Sequence, residues 1–261
     1  MTRKTTADRW IAYRKPNPQA RLRLFCLHYA GGAASAFRGW QAELPPEIEV
    51  CPVQLPGRES RLREDRLNSV EEVLEVLPGA LEPYMDMPFA FFGHSMGALL
   101  SYELTARLNR DGRSLPVRLL LSGRRAPQVP DDDPPIYDLP DDEFKAELRK
   151  LNGTPEAVLE HPELMELLLP VLRADFTLCE TYEYQPSDPL PVALSAYGGL
   201  SDHKVEREAL EAWRERTRGA FKLRMFEGDH FFLHGPARGD LIAAVAQDLM
   251  PVLARLQGRF V

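Results

Sequence analysis

Gly93-His94-Ser95-Met96-Gly97 has the form G-x-S-x-G, and its serine is a candidate nucleophile. A serine hydroxyl alone is a poor nucleophile. It needs a base within hydrogen-bond reach and a third group that orients the base. The apolar run Pro88-Phe89-Ala90-Phe91-Phe92 comes directly before the pentapeptide, and Ala98 to Leu104 follows at helical spacing. Strand, tight turn and helix in that order make a nucleophile elbow. Such a turn lifts the hydroxyl above a sheet edge and aims the N–H groups of the new helix at a developing oxyanion. Only small residues fit two positions either side of the serine, which explains the two glycines.

The base and the acid should follow in the order Ser, Asp or Glu, His. Six histidines are available: His28, His94, His161, His203, His230 and His234. The base belongs on a loop after the last strand. Phe221 to Phe226 reads as that strand, and Glu227-Gly228-Asp229-His230 follows it at once. His230 is therefore the expected base, with His234 as the alternative one short turn later. For the acid, Gly198-Gly199-Leu200-Ser201-Asp202-His203 follows the apolar run Pro191 to Tyr197. Asp202 just past that strand is the expected acid. Asp229 competes, although adjacent residues rarely place their side chains in one productive line. His203 reads as a solvent-exposed neighbour. A second oxyanion donor should come from the turn after an earlier strand. His28-Tyr29-Ala30-Gly31-Gly32 is such a turn, so the backbone N–H groups of Ala30 and Met96 are the expected oxyanion hole.

These groups need a frame. Leu22 to His28, Val50 to Leu55, 88–92, Val117 to Ser122, Pro191 to Tyr197 and Phe221 to Phe226 read as buried strands. Val70 to Met85 (kinked or split at Pro78-Gly79), Met96 to about Arg110, and Leu241 to Leu256 (broken near Pro251) read as helices. The alternation predicts an α/β fold with a mostly parallel central sheet covered by helices. It fails between Ser122 and Pro191, where helical segments follow a Pro- and Asp-rich stretch. Leu164, Leu167, Leu168, Val171, Leu172 and Phe176 give the longest of them a wide apolar face. Residues 124–189 are thus expected to be a helical lid insertion within a single domain spanning 1–261. The first 20 residues read as an irregular arm.

Composition narrows the function classes. A hydrophobic share of 44% is enough for a buried core, and a net charge of −7 without a basic stripe argues against nucleic acid. Apolar runs fall short of a membrane span, and Met1 to Thr6 holds no apolar signal core. Three cysteines without metal-ligand spacing point to reduced thiols and a cytoplasmic protein.

Beyond the elbow, the chain carries Leu27-His28-Tyr29-Ala30-Gly31-Gly32, Gln54-Leu55-Pro56-Gly57-Arg58-Glu59, Leu121-Ser122-Gly123-Arg124 and Gly228-Asp229-His230-Phe231-Phe232. At these distances the segments resemble a type II thioesterase of the α/β-hydrolase superfamily, the free-standing editing enzymes of modular polyketide and nonribosomal peptide synthases. The resemblance implies an α/β-hydrolase fold and a Ser95, Asp202, His230 triad. It implies hydrolysis of blocked or aberrant acyl groups from the phosphopantetheine arm of acyl or peptidyl carrier proteins. Those partners would bind transiently, and no metal or redox cofactor is called for. Same-fold alternatives are a medium-chain fatty acyl thioesterase and a small-molecule carboxylesterase. A catalytically dead binding protein is disfavoured by the intact triad residues. Carrier proteins are commonly acidic, as is this chain, so docking would need a local basic surface. Arg58, Arg61, Arg124 and Arg125 are the candidates, with Arg63 and Arg66 nearby. Local ion pairing with Glu59, Glu64 and Asp65 is the competing reading.

Overall fold

The computed structural model describes residues 9–257. Six strands form one sheet: β1 (Leu22–Leu27), β2 (Ile48–Pro52), β3 (Phe89–His94), β4 (Arg118–Ser122), β5 (Ala193–Gly199) and β6 (Phe221–Phe226). Their order is β2-β1-β3-β4-β5-β6, and every neighbouring pair is parallel. Parallel strands are buried on both faces, so they read as nearly continuous apolar runs. In β1, Phe25 and Leu27 enter one apolar cluster and Leu22, Leu24 and Cys26 enter the other. The period of two thus divides the core into two layers.

The helices are α1 (Trp40–Glu43), α2 (Val70–Leu81), α3 (Met96–Arg110), α4 (Asp141–Leu151), α5 (Glu156–Leu159), α6 (Pro162–Glu180), α7 (Arg207–Glu211) and α8 (Arg238–Gln257). Residues of α2 and α3 complete the first layer, while Trp40 and the apolar side of α8 complete the second. Ser69 caps α2, its hydroxyl accepting from the Glu72 N–H at 3.1 Å. None of the described helices is long and apolar enough to cross a membrane.

Several elements differ from the sequence reading, β5 by starting and ending two residues later than 191–197. β2 begins and ends earlier than 50–55, and its second residue, Glu49, is buried against Arg14 and Arg23. That charged residue hides the strand's start. The helix expected over 70–85 runs unbroken through Pro78 to Leu81 and tightens into a 3₁₀ turn at Glu82–Tyr84. Pro251 likewise lies inside α8, which starts at Arg238 rather than near Leu241. The part of the arm from residue 9 is docked: Trp10 and Ile11 are buried, Ile11 bridges Val53, and the Arg61 guanidinium stacks 3.9 Å from the Trp10 ring. Residues 1–8 of that arm lie outside the described residues.

Between β4 and β5 the chain builds α4, α5 and α6 around a small core of Phe144, Leu148, Leu159, Met165 and Leu172. The face read from sequence divides there. Val171 and Leu172 are buried, whereas Leu164 and Leu167 are exposed.

Every loop bearing a candidate site residue leaves the carboxyl end of a strand, the edge where α/β sheets place their ligands. The elbow fixes that edge most tightly. A Cβ on Gly93 would strike the backbone of Gly97, and one on Gly97 would strike the carbonyl of Leu27 in β1. Both obstacles are backbone and cannot rotate away. Gly97→Ala is expected to cost about 3 kcal/mol or more, at the upper end of overpacking penalties, or to prevent folding. Urea unfolding of the variant checks this; a midpoint equal to that of the unsubstituted protein would refute the packing argument.

Candidate active site

Ser95 joins β3 to α3 with φ 53° and ψ −112°. A serine with positive φ is strained and persists only where its surroundings hold it. Here the Ser95 N–H donates to the Ser122 carbonyl at 2.7 Å, tying the elbow to the end of β4. Met96 is the first residue of α3, so its N–H has no acceptor within the helix.

Asp202 and His230 approach from the loops after β5 and β6. The Asp202 Oδ1 accepts from the N–H groups of Lys204 at 2.9 Å and Val205 at 3.2 Å. Its Oδ2 is left for His230 Nδ1, at 2.7 Å. An ionised carboxylate only accepts, so this contact places the proton on Nδ1 and leaves the Nε2 lone pair free. Asp229, the competing acid, faces away: its Oδ2 accepts from Asn152 at 3.1 Å and its Oδ1 from the Phe231 N–H at 2.9 Å. His234, the competing base, pairs through Nε2 with the Tyr29 hydroxyl at 2.8 Å. His203 is exposed, and His161 caps α6.

Two further histidines, His28 and His94, are buried. His94 Nδ1 meets the Ser122 hydroxyl at 2.9 Å, and its ring lies 5.2 Å from that of His230. Burial, with the neighbouring His230 and His234, holds its pKa well below the usual histidine value. A neutral ring under His230 adds no charge to repel an imidazolium.

Ser95, His230, Ala30 and Gly123 face one cavity of about 550 Å³. Most of its other walls come from the interval between β4 and β5, including Val129, Leu148, Leu172 and Phe176, with Tyr29, Leu99, Val205 and Phe231 completing it. The lining mixes these apolar side chains with charged ones such as Arg124, Asp133, Glu180 and Lys204, and the apolar part suits an acyl chain presented to a serine.

A model of the thioesterase domain matches residues 22–249. The chain belongs to the thioesterase family. Among its relatives, the gramicidin S biosynthesis protein GrsT of Aneurinibacillus migulanus is 45% identical over 254 residues, 97% of this chain and 99% of GrsT. The solved structure of RedJ, a thioesterase from the prodiginine pathway of Streptomyces coelicolor, superposes with a TM-score of 0.84 at 40% identity, covering 95% of this chain and 92% of RedJ. The type II thioesterase BorB from the borrelidin biosynthetic cluster superposes with a TM-score of 0.82 at 35% identity, covering 95% and 98%.

In this thioesterase the expected docking surface needs correction. Arg58 is 5% exposed and Arg61 is 6% exposed. Arg58 forms a two-pronged pair with Asp175, at 2.6 and 2.8 Å. Arg61 binds Glu64 at 2.6 and 3.0 Å and the Gln54 carbonyl at 2.8 Å. Neither offers a free charge to a partner. Arg125 is engaged by Asp131 and by the carbonyls of Pro130 and Lys204. Arg124 lines the cavity, where its side chain meets the Cys179 thiol.

Asp175 is a residue the sequence reading missed. It lies on the same stripe of α6 as Val171, Leu172 and Leu178, all buried. An acid on an apolar stripe must find a buried partner, and that pattern is the signal that would have revealed it.

His28 was read only as the end of β1. Its Nδ1 approaches the Tyr29 carbonyl at 2.9 Å, and burial, then Arg58, push its pKa down to about 4 against the opposing pull of Asp175. In the unfolded chain His28 takes up a proton near pH 6.5, whereas in the folded protein it resists until about pH 4. The unfolded state therefore binds more protons in that window, and stability falls as pH drops through it. The expected loss from this residue is on the order of 3 kcal/mol between pH 6.5 and 4. Melting temperatures of the unsubstituted protein and His28→Asn across that range test it. Parallel curves would show that His28 does not contribute.

Proposed function

We propose that this thioesterase is a type II editing enzyme. It hydrolyses blocked or aberrant acyl groups from the phosphopantetheine arm of carrier proteins in a nonribosomal peptide or polyketide pathway. The observation that carries the reading is the Asp202–His230 hydrogen bond beside the cavity that the strained Ser95 faces. The similarity to GrsT, RedJ and BorB supports the pathway class.

Ser95 attacks the thioester carbonyl as His230 Nε2 takes its proton. Asp202 holds the imidazole in the needed tautomer and stabilises the imidazolium. The N–H groups of Ala30 and Met96 stabilise the oxyanion. His230 then returns the proton to the departing pantetheine thiol. Water, deprotonated by His230, releases the acid from the acyl-serine. One water is consumed and the chemistry asks for no metal or redox cofactor. The carrier protein is a transient partner, held through its arm and its acyl group rather than by a broad charged face.

The experiment is turnover on a panel of acyl-loaded carrier proteins beside matching acyl-thiol mimics. Ser95→Ala is expected to abolish turnover on both while leaving the fold intact. Asp202→Asn is expected to lower kcat by about 10⁴, as in serine proteases where the wrong tautomer results, and Asp229→Asn far less. Comparable losses at the two aspartates would remove Asp202 from the mechanism. Faster turnover of oxygen esters than of carrier-bound thioesters would favour a carboxylesterase.

Arg124 is the remaining candidate for the phosphate of the pantetheine arm. Arg124→Glu is expected to raise KM about tenfold or more on acyl-carrier protein and to leave KM on a phosphate-free acyl-thiol nearly unchanged. Equal effects on both substrates would assign it to the cavity wall instead.

A further inference from the structure

The turn expected to supply one oxyanion donor is held from two distant segments. The Gly32 N–H donates to the Tyr29 carbonyl at 2.9 Å, with Gly31 at φ 73°, the backbone of a turn that requires glycine at its third position. The Tyr29 carbonyl and the Ala30 N–H share one trans peptide and point in opposite directions. Gly32 and His28 both bind that carbonyl, so they also set the direction of the Ala30 N–H. The next peptide is held from α6: the Gly31 N–H donates to Asp175 Oδ2 at 2.7 Å. The same oxygen accepts from Arg58 Nη1 at 2.6 Å, and Arg58 Nη1 also reaches the Gly32 carbonyl at 3.2 Å. Asp175 is 1% exposed, and both of its oxygens are engaged. A buried acid and a buried arginine thus grip the chain on the C-terminal side of Ala30, while His28 and Gly32 hold the carbonyl on its N-terminal side.

We propose that Asp175 and Arg58 are positioning residues for acyl transfer, holding the Tyr29–Gly32 turn so that the Ala30 N–H is aimed at the oxyanion. The proposal rests on the serine thioesterase reading above. It makes α6, which walls the cavity through Leu172 and Phe176, also a support of the oxyanion hole. A pair that served packing alone would affect stability and active fraction. A pair that aims a donor affects the transition state more than the ground state.

The test uses the full chain with Asp175→Asn and Arg58→Lys, each checked for fold by circular dichroism and melting temperature. Kinetics on one acyl-thiol mimic are read together with inhibition by an alkylboronic acid, whose tetrahedral adduct on Ser95 places a negative oxygen in the hole. Asp175→Asn is expected to lower kcat by about 10², the scale of one lost oxyanion donor, with KM within about twofold. Its boronate inhibition constant should rise by a similar factor. Arg58→Lys keeps the Asp175 charge and is expected to lose about tenfold in kcat. A folded Asp175→Asn with the original kcat overturns the proposal. So does a loss carried by KM with unchanged boronate binding, and so does failure of both variants to fold. If Ser95→Ala stays active, or the boronate does not inhibit the unsubstituted protein, the thioesterase mechanism fails and this proposal with it. Full activity in Asp175→Asn beside an inactive Ser95→Ala removes the positioning role alone.

Discussion

The close approach of α3 to the end of β1 is the constraint on which the site depends. Gly93 and Gly97 let the chain reverse within the pentapeptide, and the backbone of Gly97 lies against the carbonyl of Leu27. That contact brings the start of α3 beside the turn that leaves β1. The Met96 and Ala30 N–H groups consequently belong to neighbouring segments of one sheet edge, although they are far apart in sequence. The serine between the two glycines takes a positive φ of 53°. Strain at Ser95 is held by the Ser122 carbonyl and by two apolar layers packed on either face of the sheet.

Around that edge, charge is arranged by burial more than by number. His28 and His94 are kept neutral by desolvation, and the His94 ring beside His230 therefore adds no positive charge there. Negative charge is admitted only where it is bound. Asp202 accepts from two backbone N–H groups and from His230, and Asp175 from Arg58 and the Gly31 N–H. A cavity bordered by bound charges and neutral rings lets a small number of fixed dipoles act strongly on a reacting carbonyl.

The sequence was most legible where one local pattern determined the outcome. Apolar runs marked all six strands because a parallel sheet buries both faces. The elbow was readable because the backbone requires both glycines and the chemistry requires the serine between them. Asp202 and His230 were legible as residues just past strand ends, and the structure brings them together while turning Asp229 and His234 to other partners. Pairings between distant segments were not legible. Arg61 pairs with Glu64, a local partner the sequence offered, but sequence does not show that Asp175 pairs with Arg58 or that Trp10 packs onto Arg61. Glu49 obscured the start of β2 for the same reason: a buried charge is recognisable only with its partners, Arg14 and Arg23.

Those hidden pairings change what the helices between β4 and β5 mean for the chemistry. A cover that only walled the cavity would discriminate acyl groups through binding, since a poorly fitting chain would be held weakly. Helix α6 has contacts of both kinds: Leu172 and Phe176 line the acyl cavity, and Asp175 binds the turn beside Ala30. Asp175 follows Leu172 by three positions and is adjacent to Phe176, so all are carried on about one turn of helix. An acyl group that displaced this turn would disturb its own wall and the Asp175 contact in the same movement. Selectivity built this way acts on the transition state as well as on binding, because rejection of a misfitting acyl chain and loss of oxyanion support become one event.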